Sequence, residues 1–136
     1  MGGRQVRAAE AVVLNANDAF YRAFESLDPT RMEDVWLASP DVVCIHPGWR
    51  ARIGIEAVME SWRAIFRGTH HMKFTVAQPV VAESGDAAMV TCIEMISQGN
   101  PAAPEFGSVQ AVNAFRRVDG RWKMILHHAS PFAPLG

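Results

Sequence analysis

Apolar positions along the first fifth of the chain recur at helical spacing. Val13, Phe20, Phe24 and Leu27, with Asn17 on the same stripe, are separated by three and four residues, so residues 6–27 read as one long helix with a single face turned to a core. Leu27-Asp28-Pro29-Thr30 then punctuates. Asp28 is suited to cap a second, short helix with Pro29 at its first position and Met32, Val35 and Trp36 on its apolar side. Ser39-Pro40-Asp41 is a turn and 42–46 a short strand. Gly54 opens a third helix, with Glu56 in the first turn where the helix dipole favours it. Ile55, Val58, Trp62, Ile65 and Phe66 form its apolar face, and Gly68 ends it.

From residue 72 the period drops to two. Residues 72–83 begin by alternating and then carry Pro79, which marks a bulge or an edge. Ser84-Gly85-Asp86 is a turn, 87–97 a long strand and 98–105 a loop. Residues 106–118 and 121–132 are strands joined by Asp119-Gly120, a strong hairpin signal. Helices first and a meander of long strands after them predict an α+β fold, in which one curved antiparallel sheet carries helices on one face. Strands apolar on both faces, such as Met89-Val90-Thr91-Cys92-Ile93, need cover on two sides, which predicts a homodimer packed through the outer sheet face.

Composition narrows the class. The 136 residues suit one domain, placed at 8–132, and 49% hydrophobic with 20% charged residues is a globular balance. Thirteen basic against fourteen acidic residues give a net charge of −1 without a basic stripe, which argues against nucleic acid as a partner. Cys44 and Cys92 each lie inside an apolar run with no CxxC, so both read as free thiols of a reducing compartment. No apolar run approaches the roughly 18 residues of a membrane span, and the amino-terminal residues lack a signal-peptide core. The expectation is a soluble, cytoplasmic protein with no membrane partner.

The candidate chemistry centres on Cys44-Ile45-His46-Pro47-Gly48-Trp49, where a titratable ring sits as a strand leaves the core beside a tryptophan. His46 is either a packed strand-end residue or the base of a pocket; an imidazole titrates near 6.5, so it needs little tuning for that task. Cys44, two residues earlier, shares its face, as a small buried hydrophobe or as the thiol of a Cys–His pair. His70-His71 and His127-His128 are adjacent pairs whose members point to opposite faces of a strand, so each gives at most one ligand, and no metal is expected. Asn113 is a polar residue within an apolar strand, bonded to neighbours or aimed at a ligand. Tyr21 and Asp18 on the first helix are expected to face solvent. The Asp-Gly hairpin alone sets His128 on the Asn113 face, and a bulge would turn His127 there instead.

The element order and three stretches, FESLDPTRMEDVW (24–36), IHPGW followed by RIGIEAVMESW (45–62) and NAFRRVDGRWKMILHHASPF (113–132), resemble the nuclear transport factor 2-like superfamily, and within it the SnoaL-like and ketosteroid-isomerase-like members. The resemblance implies a cystatin-like cone: a curved sheet wrapped around the amino-terminal helices, with an apolar ligand pocket between. It places His46 where ketosteroid isomerases carry a general-base aspartate, Asn113 where they carry a neutral aspartic acid, Trp62 at a pocket-lining aromatic and Phe20 at the oxyanion tyrosine. The pocket it implies takes in Phe20, Phe24, Trp36, Trp49, Trp62, Thr91, Phe115, His127 and Ala129. With that tyrosine missing, ketosteroid isomerisation itself is not expected. The resemblance implies a small-molecule-binding protein, a cofactor-independent isomerase, cyclase, dehydratase or hydrolase in which His46 moves a proton and Asn113 holds an oxyanion. The alternative is a non-catalytic ligand-binding or oligomerisation module, since the terminal hairpin also resembles the association domain of calcium/calmodulin-dependent kinase.

Overall fold

A computed structural model describes residues 7–133. Helix α1 spans Ala8–Ser26, α2 Pro29–Val35 and α3 Ile55–Arg67; strands are β1 Val43–Ile45, β2 Arg52–Ile53, β3 Met72–Ser84, β4 Ala87–Asn100, β5 Ala103–Val118 and β6 Arg121–Ser130. The expected start of α1 at residue 6 lies outside the described residues. Asp28 caps α2 by accepting the Thr30 amide at 2.9 Å, with Pro29 following it. Gly54, at φ 89°, opens α3, and its Cβ-free backbone lies against Pro40, so a side chain there would be strained as well as crowded.

The six strands form one open sheet in the order β2-β1-β6-β5-β4-β3. Every pairing is antiparallel except β1 with β6, which is parallel, so the sheet is mixed rather than purely antiparallel. The parallel pairing follows from α3 and three long strands separating β1 from its neighbour in the chain. Helices α1 and α3 cover the inner face, giving the α+β cone. Gln78 at φ 52° and the register shift between Ala77 and Val80 place a bulge at Pro79, as the proline predicts.

Three expectations need correction. Strand β2, only two residues long, carries no readable period and has no counterpart among the predicted elements. The segment 98–105 is no loop: β4 and β5 pair on to Asn100↔Ala103, because each supplies the other's backbone partners beyond the end of β3. Trp36 is not helical but bridges to Met124 on β6. Among the described residues, no helix is long and apolar enough to cross a membrane.

Candidate functional site

Register brings one row of side chains together across the inner sheet face. Arg52 pairs with Cys44, Cys44 with His127, His127 with Asn113, and Asn113 with Val90. The shift between Ala114 and Phe115 on the β5–β6 ladder is the bulge that turns His127 inward, buried, and leaves His128 exposed on the outer face.

His46 stands two residues past Cys44, where β1 ends in a turn closed by the Trp49 amide on the His46 carbonyl at 2.9 Å. It is 3% exposed, edge-on to Trp62 at 4.7 Å and to Trp49 at 5.0 Å between ring centres. Its Nε2 lies 2.9 Å from Ser61 Oγ. Ser61 has one hydroxyl hydrogen and donates it to the Val58 carbonyl at 2.6 Å. Ser61 must therefore accept from His46 Nε2–H, which leaves the imidazole lone pair on Nδ1. Burial, and then the positive charge of Arg52, lower the His46 pKa to about 4. The ring is a neutral base with a defined accepting atom. Cys44 Sγ lies 3.5 Å from Nε2 and 4.0 Å from Nδ1; burial and then the Glu94 charge push its thiol well up, so it remains S–H, a weak donor within reach of the Nδ1 lone pair rather than an activated nucleophile.

A second buried cluster centres on Asn113, next to the first along the sheet, where Cys44 pairs with His127. Asn113 is fully buried; its Nδ2 donates to Asn17 Oδ1 at 2.9 Å and to Tyr21 Oη at 3.0 Å, and its Oδ1 lies 2.6 Å from His127 Nδ1. His127 then donates Nδ1–H, and burial followed by the charges of His46 and His128 lowers its pKa to about 3. Tyr21 donates to Glu94 Oε2 at 2.7 Å and stands 3.4 Å from Cys92 Sγ. Burial raises the Glu94 carboxyl to about 7, with the Tyr21 hydrogen bond pulling the other way. Burial, then Glu94 and Cys92, push the Tyr21 phenol far above its ordinary range.

The clusters touch through aromatic rings. His46 and His127 are 6.4 Å apart between ring centres, Trp62 lies 6.0 Å from His127, and Phe20 lies 4.7 Å from His127 and 5.7 Å from Trp62. Phe24 backs Trp62 at 4.7 Å. Among the described residues, the Nε1–H groups of Trp62 and Trp36 are both buried without a hydrogen-bond partner; of the two, Trp62 is the one against the His46 ring.

The structure thus gathers His46, Trp62, Phe20, Phe24, His127 and Asn113, with Trp49 39% exposed at the rim. Ala129 lies on the same inner face opposite Ala111. Trp36 and Phe115 are buried further along β6, each paired to Met124. Thr91 is a correction: strand alternation sends Val90 and Cys92 inward and leaves Thr91 exposed on the outer face. Tyr21 is another, because it is fully buried rather than solvent-facing. Helix α1 meets the sheet over a wider arc than its apolar stripe suggests, so Asn17 and Tyr21, four residues apart, form an inward polar ladder. That spacing, and a lone carboxyl at Glu94 on the inward parity of an apolar strand, are the signals in the sequence that could have found this cluster.

Sequence comparison places the chain in the family this geometry suggests. The family model for the SnoaL-like domain matches residues 13–134, so the chain belongs to the SnoaL-like family of the nuclear transport factor 2-like superfamily. A Streptomyces avermitilis structure described as a "putative dehydratase from the NTF2-like family" is 34% identical, with a TM-score of 0.86 over 91% of this chain and 96% of that one. A Thiobacillus denitrificans structure described as a "putative calcium/calmodulin-dependent protein kinase type II association domain" is also 34% identical, with a TM-score of 0.78 over 87% and 93% of the two chains. The F-box protein SKIP8 of Arabidopsis thaliana is 26% identical over 95% of this chain, which spans 53% of that protein's length.

Proposed function

We propose that this domain binds a small, largely apolar molecule against His46, Trp62 and His127, and that His46 takes a proton from it at Nδ1. The observation that carries the reading is a buried, neutral imidazole whose Ser61 contact dictates which nitrogen accepts, beside a buried indole N–H that lacks an acceptor. A donor left unpaired in an apolar interior costs about 1–3 kcal/mol, which an acceptor atom on a ligand would offset. Proton removal next to a carbonyl leaves charge on its oxygen, and Trp62 Nε1–H is the donor open to it. Asn113, the residue expected in that role, gives both of its amide hydrogens to Asn17 and Tyr21. It acts instead as a positioning residue, through His127. Such acid–base help is worth about 10²–10⁴ in rate and needs no cofactor.

The test is a fragment screen of apolar carbonyl compounds and phenols followed by the indole ¹H–¹⁵N signals of Trp49 and Trp62. Ligands are expected to shift both signals, and His46→Ala is expected to weaken binding about tenfold or more. A His46→Ala protein that loses several kcal/mol and keeps its ligands would make His46 a core residue.

One feature supports an additional role in self-association. Val80, Met89, Met95 and Phe106 are 58%, 41%, 51% and 79% exposed on the outer sheet face, an unusual apolar display for a monomer. The likeness to a protein described as an association domain points the same way. Light scattering at micromolar concentration is expected to give the mass of a homodimer; a monomer would remove this role.

A further inference from the structure

The rim beside His46 carries positive charge that the protein itself does not neutralise. Strand β2 returns antiparallel to β1 with Arg52 opposite Cys44, so Arg52 leaves the sheet on the inner face that His46 shares. Its guanidinium carbon lies 5.4 Å from the centre of the Trp49 ring, and Trp49 in turn lies 5.0 Å from the His46 ring. Arg52 and His46 therefore flank one indole. Together with Arg50 and Ala51, Trp49 and Arg52 line an open cleft of about 660 Å³. Among the described residues neither Arg50 nor Arg52 has an ion-pair partner, a state they share with Arg31, Arg63, Arg67 and Arg116; what sets Arg52 apart is its place on the Trp49 ring beside His46. Stacking on an indole occupies the face of a guanidinium and leaves the N–H fork at its edge, the geometry that grips a carboxylate with two parallel hydrogen bonds.

We infer that the ligand of this site is an organic carboxylate, its anionic head on the Arg52 fork with Arg50 assisting, and its apolar body along Trp49 toward His46. This inference rests on the small-molecule reading above and adds the chemical class. The arrangement divides the work. Arg52 fixes one end of the molecule, so a C–H or O–H a few atoms from the carboxylate is presented to His46. The residues around His46 are neutral, Trp49 and Trp62 with Ser61 and Cys44, so the anionic head is held at the wet rim and not dragged into the interior, where a charge lacks hydration.

Calorimetry with matched probes tests it: phenylacetate, 3-phenylpropionate and 4-phenylbutyrate against their primary amides, at neutral pH and millimolar concentration. The acids are expected to bind about tenfold tighter than the amides, the gain of a charge-assisted hydrogen-bonded pair discounted for an open cleft. Added salt should erode that preference. Arg52→Gln should abolish it; Arg52→Lys, which keeps a point charge without the fork, should retain part of it, and also guards against a glutamine variant that folds poorly. Equal binding of acids and amides by the native protein, or an undiminished preference in folded Arg52→Gln, overturns the inference. If amides bind and His46→Ala abolishes their binding, but acids have no advantage, the carboxylate inference fails and the pocket reading stands. If acids bind through Arg52 yet His46→Ala changes nothing, the anion site stands and proton transfer at His46 fails. If no acid or amide binds, both are overturned.

Discussion

Replacing Asn113 with Ala is expected to lower the unfolding free energy by about 4 kcal/mol, the loss that follows when several buried partners are orphaned at once. The amide joins α1 to β6: it receives the His127 Nδ1–H and donates to Asn17 and Tyr21. None of those groups reaches water to replace it, since His127, Asn17 and Tyr21 are all nearly or fully buried. In a domain of this size the loss corresponds to a melting temperature lower by roughly 10–15 °C. Asn17→Ala, which removes only one of these bonds, should cost about 1–2 kcal/mol. Chemical denaturation of both variants measures the difference. An Asn113→Ala protein within about 1 kcal/mol of native would mean that the buried network is dispensable.

Acidification from pH 6.5 to about 4 is expected to destabilise the fold steeply, because two buried histidines must take up protons. The folded-state pKa values of His46 and His127, about 4 and about 3, lie below the ordinary 6.5. Between those limits the unfolded chain binds more protons than the folded one, so stability rises with pH and is lost as pH falls below 6.5. Each tenfold difference in proton affinity between the folded and unfolded chain is worth about 1.4 kcal/mol, so either ring alone is a contribution of several kcal/mol. Glu94 works in the opposite sense. Its folded pKa of about 7 lies above the ordinary 4.5, so its contribution is complete below 4.5 and is lost as pH rises through 7. Two rings outweigh one carboxyl over the shared window, and the net slope stays positive. Urea unfolding at pH 7.5, 6, 5 and 4 checks this. Glu94→Gln should make the acid loss steeper, and a stability independent of pH between 6.5 and 4 would contradict the assignment of both rings as neutral.

Local chemistry is legible in the sequence wherever a residue acts on its own neighbourhood. Asp28 and Pro29 open α2, Gly54 opens α3, Pro79 marks a bulge, and Asp119-Gly120 closes the β5–β6 hairpin, each through backbone rules that span a few residues. The inward position of His46 is open to reading from the strand end and the Pro-Gly turn. What escapes depends on contacts across the chain. The Tyr21 hydroxyl meets Cys92, Glu94 and Asn113 at separations of 71, 73 and 92 residues, and nothing near Tyr21 announces them. Thr91 is misplaced by a sequence reading because an apolar strand such as Met89–Ile93 has no polar alternation to reveal its parity. Arg52 gains its place from pairing with Cys44, which only the folded sheet provides. The use of both Asn113 amide hydrogens is likewise visible only once α1 is docked.

The central claim is that His46 is a neutral base with its lone pair on Nδ1. A long-range ¹H–¹⁵N spectrum of the histidine rings, recorded from pH 8 down to 3.5, tests it directly. The expected result is an Nε2–H tautomer for His46 at neutral pH that resists protonation until about pH 4. A His46 ring that carries its proton on Nδ1, or that becomes cationic near pH 6.5 as an exposed imidazole does, would contradict it.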